Sequence, residues 1–401
     1  MIRQHYDKVI VGCCFAFIFA NIGLSSTAFA VHQPYLVAME GIGDTGGSLI
    51  LSMRTLVTIL ATLVVDRYYE LLDVRRGVLI GSLLTAAGFA IYSIATSLPV
   101  FLAGAVLLGL GYGFGGLVAM TIIMNRWYSK GIGGAVGFAT MGSGVASIVM
   151  PLVLVRVIEG VSLSAAFLVE SAIAAVIGVV AFALLRNRPS DMGLEPHEGK
   201  KSSKKSRRHG EMLPAPAREH TLLMAAMAFV GAYCCGAITY LSVLATTSGF
   251  DTVAAATFVS VAGVALTVSK FATGELFDFL GTPRGSAVVF VVGFVGFTLC
   301  LFAGVGSAAL MMVAAVLMGA GLSLGSVGIS VWSIDMSTEA NRAREIKNFQ
   351  VAYSIGGFVA NTLPGIVKDL VGTYVVSYAG MLVLLVLAAI IVLRYYRKYS
   401  A

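Results

Sequence analysis

The sequence predicts an all-α polytopic membrane protein with twelve transmembrane helices in two pseudo-symmetric six-helix bundles. Three observations carry this expectation. Of 401 residues, 58% are hydrophobic and 12% charged, against about 25% charged in soluble chains. The apolar residues fall into twelve runs, each long enough to cross about 30 Å of hydrocarbon. Features of the first six runs recur at near-constant spacing in the last six.

The first run, 8–30, follows Arg3 and Lys8 and ends in Ala28-Phe29-Ala30. That ending resembles a signal-peptide cleavage site. The run is about twice the usual length of a signal peptide's apolar core, so a retained span is expected. His32-Gln33-Pro34-Tyr35 closes its outer end. Runs two to six cover 46–65, 77–96, 100–124, 132–155 and 164–185, which completes a first bundle over 1–185. Runs seven to twelve cover 221–246, 253–277, 285–304, 308–333, 348–367 and 375–393, a second bundle within 220–401.

Between them lies the polar stretch 186–219, with nine Lys/Arg and no aromatic residue. It cannot bury enough apolar surface to offset its ordering entropy, so a mobile linker is expected. Its basic cluster, Lys200 to Arg208, would suggest nucleic acid in a soluble chain. Flanked by spans, it is expected to meet anionic lipid head groups, with no nucleic-acid partner. The five Cys all lie in apolar runs, with no zinc spacing and no disulfide framework. No metal and no cofactor are expected.

Basic residues set the orientation. With both termini cytoplasmic, all but four of the 27 Lys and Arg fall on the inner side. Arg156 and Lys368 lie outside, and Arg54 and Lys270 lie within spans. That asymmetry predicts a multi-pass protein of the cell (inner) membrane with both ends inside.

The repeat is specific. Glu70…Arg76-Gly77 recurs as Asp278…Arg284-Gly285, Gly109-x-Gly111 as Gly319-x-Gly321, and Pro151 as Pro364, at offsets of 208, 210 and 213. Two like bundles place a substrate site between them, near mid-membrane.

These residues carry a resemblance. GELFDFLGTPRG, 274–285, is similar to the loop signature G-x-L-x-D-x-x-G-x-x-R of the major facilitator superfamily. The first-half copy departs from it, with Asp66, Glu70 and Asp73 in place of Gly, Asp and Gly. RWYSKGIGGAVGFATMGSG, 126–144, resembles the monocarboxylate and oxalate–formate branch through Trp127, Tyr128, Lys130, Ala135 and Gly137. RNRPSDMGLEP after run six and GIVKDLVGTY after run eleven also fit. The resemblance implies a secondary transporter working by alternating access, with a small organic anion as substrate. Protons or a counter-transported anion are the implied coupling partners.

Two letter matches fade on inspection. Gly111-x-Gly113-x-x-Gly116 matches a dinucleotide fingerprint, but no strand precedes it, and close helix packing explains it. Gly142-Ser143-Gly144 has no histidine partner in the pattern. No enzyme is expected.

The informative residues are the charges inside the spans. Arg54 and Lys270 sit about 12 Å from opposite surfaces, close to the midplane. A charge there costs about 2.5–3.5 kcal/mol and faces a cavity or a partner. Glu170 is the one acid well inside a span. Two cations against one acid leave room for an anionic substrate. The structural alternative pairs Glu170, or an outer acid, with Arg54. The resemblance adds weight to Lys270, since related carboxylate carriers place a basic residue on span eight. Oxalate carriers add another on span eleven, where FQVAYSIGGFVANTLPG has none, which favours a monoanion. Carriers that couple protons through an acid one turn before the span-eight cation also differ, since Leu266 stands there.

Tyr35, Tyr112, Tyr240 and Trp332 are candidate cavity-lining rings, although an aromatic in a membrane helix is more often packing or an interface anchor. Asn21 and Asn361 are candidate polar contacts. Glu170 and His32 are candidate coupling groups, with His32 expected near the outer surface. Glu70–Arg76 and Asp278–Arg284 are implied, by the resemblance, as inner gating pairs. The expected protein is a monomer in lipid that moves a small monocarboxylate. Its rivals are an efflux pump for amphipathic compounds and a transport-dead membrane receptor.

Overall fold

The computed structural model describes residues 6–130, 132–198, 217–337 and 342–399. The chain folds as two compact units. The first comprises Met1–Tyr35, Met39–Ile42 and Leu49–Lys205; the second comprises Leu36–Ala38, Gly43–Ser48 and Ser206–Ala401.

The chain opens with α1 (Tyr6–Ile18), then winds as a π-helix over Phe19–Thr27 and a 3₁₀ turn over Ala28–His32, and resumes as α2 (Gln33–Val37). The helices that follow are α3 (Gly43–Leu71), α4 (Val74–Ile94), α5 (Leu98–Phe114), α6 (Leu117–Trp127), α7 (Ile132–Gly160) and α8 (Leu163–Leu184). After the polar stretch come α9 (Ala217–Thr239), α10 (Leu241–Thr247), α11 (Thr252–Leu280), α12 (Thr282–Cys300), α13 (Ala308–Gly321), α14 (Val327–Asp335), α15 (Arg342–Val371) and α16 (Val375–Tyr399).

Short polar side chains fix several starts. Asp73, Ser162, Asp251 and Ser307 accept from the backbone N–H three residues on, at the heads of α4, α8, α11 and α13. Each supplies a partner to an otherwise orphaned donor.

Among the described residues, eleven helical stretches are long and apolar enough to span a membrane. The twelfth expected span lies in α15. That helix has the length, 30 residues, but carries Asn348, Gln350, Ser354, Asn361 and Thr362 along its course. The first span is longer than expected. It runs Tyr6–Val37, because the chain does not leave the helix at Ala30 but continues through the π and 3₁₀ turns.

Internal packing repeats between the units. In the first, α4 packs on α5 and α8, and α1 on α7; in the second, α12 packs on α13 and α16, and α9 on α15. The glycine pairs show why the spacing is kept. A Cβ at Gly109 would collide with the Arg54 carbonyl on α3, and one at Gly319 with the Ala262 carbonyl on α11. A Cβ at Gly77 would strike the Tyr69 ring, and one at Gly285 the Phe277 ring. Each pair of partners is again 208 residues apart. Pro151 and Pro364 both lie inside helices, α7 and α15.

The departure of the first loop copy has a local cause. Gly281, between α11 and α12, has φ 81°, which a side chain adopts with strain. Asp73 at the equivalent turn has φ −65° and ψ 154°, needs no glycine, and caps α4 instead.

The polar stretch is built, not mobile, in its first part. Trp127 Nε1 donates to the Arg186 carbonyl (3.0 Å), the Arg75 N–H donates to Asn187 Oδ1 (3.1 Å), and the Arg188 N–H to Asp191 Oδ2 (3.0 Å). Pro189 is buried, and Met192 and Leu194 pack against the first unit's core. His197–Glu198 then pairs in parallel with Tyr128–Lys130, a short bridge in an otherwise helical fold. The basic cluster Lys200–Arg208 lies outside the described residues.

Candidate functional site

Three polar centres occupy the apolar interior of the units. Two lie in the first unit and begin with the π-helix. A π turn misaligns the backbone ladder and leaves groups to be met by side chains. Asn21 Nδ2 donates to Ser82 Oγ (3.1 Å) and to the Gly115 carbonyl (2.9 Å), tying the turn to α4 and to the end of α5. Arg54, only 6% exposed, reaches from α3 and donates to the Ser25 carbonyl. Both residues therefore hold the chain to itself, and the partner of Arg54 named here is a backbone carbonyl rather than the acid expected as its structural alternative.

The second centre is His32 with Glu170. The two side chains are fully buried, and Nε2 lies 2.9 Å from Oε2. Phe29 and Phe167 stack around the imidazole, with centroids 5.2 and 4.5 Å away. Tyr92 touches Phe29 and Phe167 and lies within electrostatic reach of both Arg54 and Glu170. His32 is thus enclosed by protein rather than open to solvent. The first span continues past it to Val37. Glu170 hydrogen-bonds His32. Tyr35 is half-buried, and its OH donates to Glu159 Oε1 at 3.4 Å. Tyr112 packs half-buried against the core.

The second unit holds the third centre, around Tyr240. Its OH donates to the Asn361 carbonyl (2.7 Å) and lies 2.7 Å from Ser48 Oγ, which accepts from the Gly365 N–H (2.9 Å). Pro364 supplies no N–H, and around it α15 turns backbone groups toward side chains. Tyr374 extends the centre by donating to Asp44 Oδ1 (2.6 Å). Burial, and then Asp44, push the Tyr374 phenol far above its ordinary range. Trp332 is wholly buried, stacked 5.8 Å from Phe290 and donating to Ser286 Oγ (2.9 Å). Its ring packs within the second unit.

Lys270 differs from all of these. It lies half-buried in the middle stretch of α11. Among the described residues it makes no hydrogen bond and no ion pair. Its counterpart by the repeat, 208 residues earlier, is Thr62, while that of Arg54 is Ala262. The two cations are therefore not related by the internal symmetry.

At the loop after α3, Arg76 pairs with Asp73 at 3.5 Å, so the expected Glu70–Arg76 pair is not the one formed. Glu70 is exposed and lines a surface pocket of about 470 Å³ with Asp73, Arg126, Arg188 and Asp191. The Tyr68 OH donates to the Gly77 carbonyl (2.9 Å), and burial pushes this phenol up to about 12, which keeps it a donor. In the second unit Arg284 is exposed. The Asp278 side chain lies outside the described residues. No cluster of metal-ligating side chains occurs among the described residues.

Two helical units with one internal plan, and polar centres within the spans, define a membrane transporter. The chain belongs to the Major Facilitator Superfamily, which it matches over residues 13–286. No curated protein sequence matches it. Among solved structures, the nucleoside transporter NupG is similar at TM-score 0.77 and 12% identity, over 97% of this chain and 100% of its own. A POT family transporter in complex with 5-aminolevulinic acid is similar at 0.74 and 14%, over 98% and 96%. A bacterial homolog of the human lysosomal transporter Spinster, inward-facing and unoccupied, is similar at 0.70 and 15%, over 98% of each chain. Identities this low reflect a shared fold alone.

Proposed function

We propose that this transporter moves a small organic anion, a monocarboxylate in the first instance, by alternating access. One observation carries the reading: Lys270, mid-span on α11, has no hydrogen-bond or ion-pair partner among the described residues. An ammonium within a span is costly without an opposite charge. A substrate carboxylate would supply that charge through a charge-assisted hydrogen bond. Arg54, which donates to Ser25, is the weaker anion contact. The resemblance of 126–144 to the monocarboxylate branch points the same way. Glu70, Arg76, Asp278 and Arg284 are proposed as inner gating groups. The carrier is proposed to act as a monomer in the cell membrane, with both termini cytoplasmic.

Counterflow in proteoliposomes tests this. Vesicles preloaded with an unlabelled acid should accumulate the same labelled acid for at least one member of a panel of monocarboxylates. Accumulation of labelled nucleosides or peptides, and of no carboxylate, would reject the anion reading.

A further inference from the structure

We propose that His32 and Glu170 form a one-proton binding site inside the first unit. The pair is enclosed: both side chains are 0% exposed and Nε2 to Oε2 is 2.9 Å. Phe29 and Phe167 lie against the imidazole, and Tyr92, Phe89 and Phe101 pack on those rings in turn. The other two heteroatoms of the pair, His32 Nδ1 and Glu170 Oε1, are buried without a hydrogen-bond partner. The amide oxygen and nitrogen of the neighbouring Gln33 are also buried and unpartnered. Packed cores seldom leave such atoms unpartnered. A site that gains and loses a proton needs this spare capacity, because the atom that accepts the proton must be free to do so.

The proton balance is simple. In one state a neutral imidazole donates its Nε2–H to the carboxylate, and the pair carries one negative charge. Taking up one proton, on Nδ1 or on Oε1, gives a net neutral pair. No other bond forms or breaks, and the two groups titrate as a unit. The surrounding charges set the balance between these states. From α3, Arg54 lies within electrostatic reach of Tyr92, as Glu170 does. From α4 comes the Tyr92 phenol, and from α5 only apolar side chains such as Phe101. The 3₁₀ turn also packs on α7, whose Arg156 and Glu159 are both exposed. Burial favours the neutral state.

This goes beyond the anion reading and does not depend on it. On α11, Leu266 stands one turn before Lys270, so the second unit offers no acid there to hold a coupling proton.

Infrared difference spectra of the protein in liposomes, taken between about pH 5 and about pH 9, test the site without any cargo. A protonated carboxyl band should appear on acidification, vanish in Glu170→Gln, and shift its midpoint in His32→Gln. Glu170→Asp keeps the carboxyl and guards against misfolding of the Gln variant. Its band should persist with a moved midpoint. A band absent over the whole range in the parent, or one that keeps the parent's midpoint in both His32→Gln and Glu170→Asp, would overturn the proposal.

Discussion

Arg54 donates to the backbone carbonyl of Ser25. The midplane cation of the first unit is thereby engaged in holding a π-helical turn, whereas Lys270 in the second unit is bound to nothing described. The two cations that look alike in the sequence should behave differently when removed. Arg54→Gln should destabilise the folded protein by about 2 kcal/mol, the scale for losing a hydrogen bond from a charged donor. Lys270→Gln should leave the detergent melting temperature close to that of the parent. Equal losses in the two variants would erase the distinction.

The glycine contacts yield a packing test. Gly109→Ala and Gly319→Ala each force a Cβ onto a backbone carbonyl of the neighbouring helix. Each should cost about 1–3 kcal/mol through overpacking. Gly137→Ala on α7 meets no atom within 4 Å and should be neutral. The check is the folded fraction on size-exclusion chromatography after heating.

Orientation can be read by labelling. A cysteine at the exposed positions Glu40 or Leu370 should react with an impermeant maleimide added to intact cells, and one at Lys204 should not. Reaction at 204 would reverse the orientation and relocate the proposed inner gates.

The inner loops separate two roles. Asp73→Ala should weaken the start of α4 by about 1 kcal/mol, as loss of an N-cap does. Asp278→Asn, at a turn where Gly281 rather than an acid sets the backbone, should lower transport with little change in melting temperature. Full transport by Asp278→Asn would remove it from the gate.

The spans were legible because lipid solvation demands long apolar runs, and the repeat because glycine contacts recur at fixed spacing. Arg54 and Lys270 stood out as charges among apolar residues. What each touches did not, because partners such as Ser25 are distant in sequence. The enclosure of His32 is not legible, because π and 3₁₀ turns leave no mark on the apolar pattern and its partner Glu170 is distant in sequence. The turn over 186–193 was hidden by its charge, although Pro189, Asp191 and Gly193 together were a turn signal. The bond from Tyr240 to Asn361 depends on how α15 adjusts around Pro364, which periodicity does not describe.

The central claim rests on Lys270, and transport by its variants tests it most directly. Initial uptake of a labelled monocarboxylate should be measured in proteoliposomes of the parent, Lys270→Arg and Lys270→Gln, at matched protein content. The account predicts that Arg retains part of the activity, since it keeps the charge while changing its shape. It predicts that Gln loses about ten- to a hundred-fold in affinity, the cost of removing one charge-assisted hydrogen bond. Uptake by Lys270→Gln equal to that of the parent would contradict it, and would favour the efflux of amphipathic compounds instead.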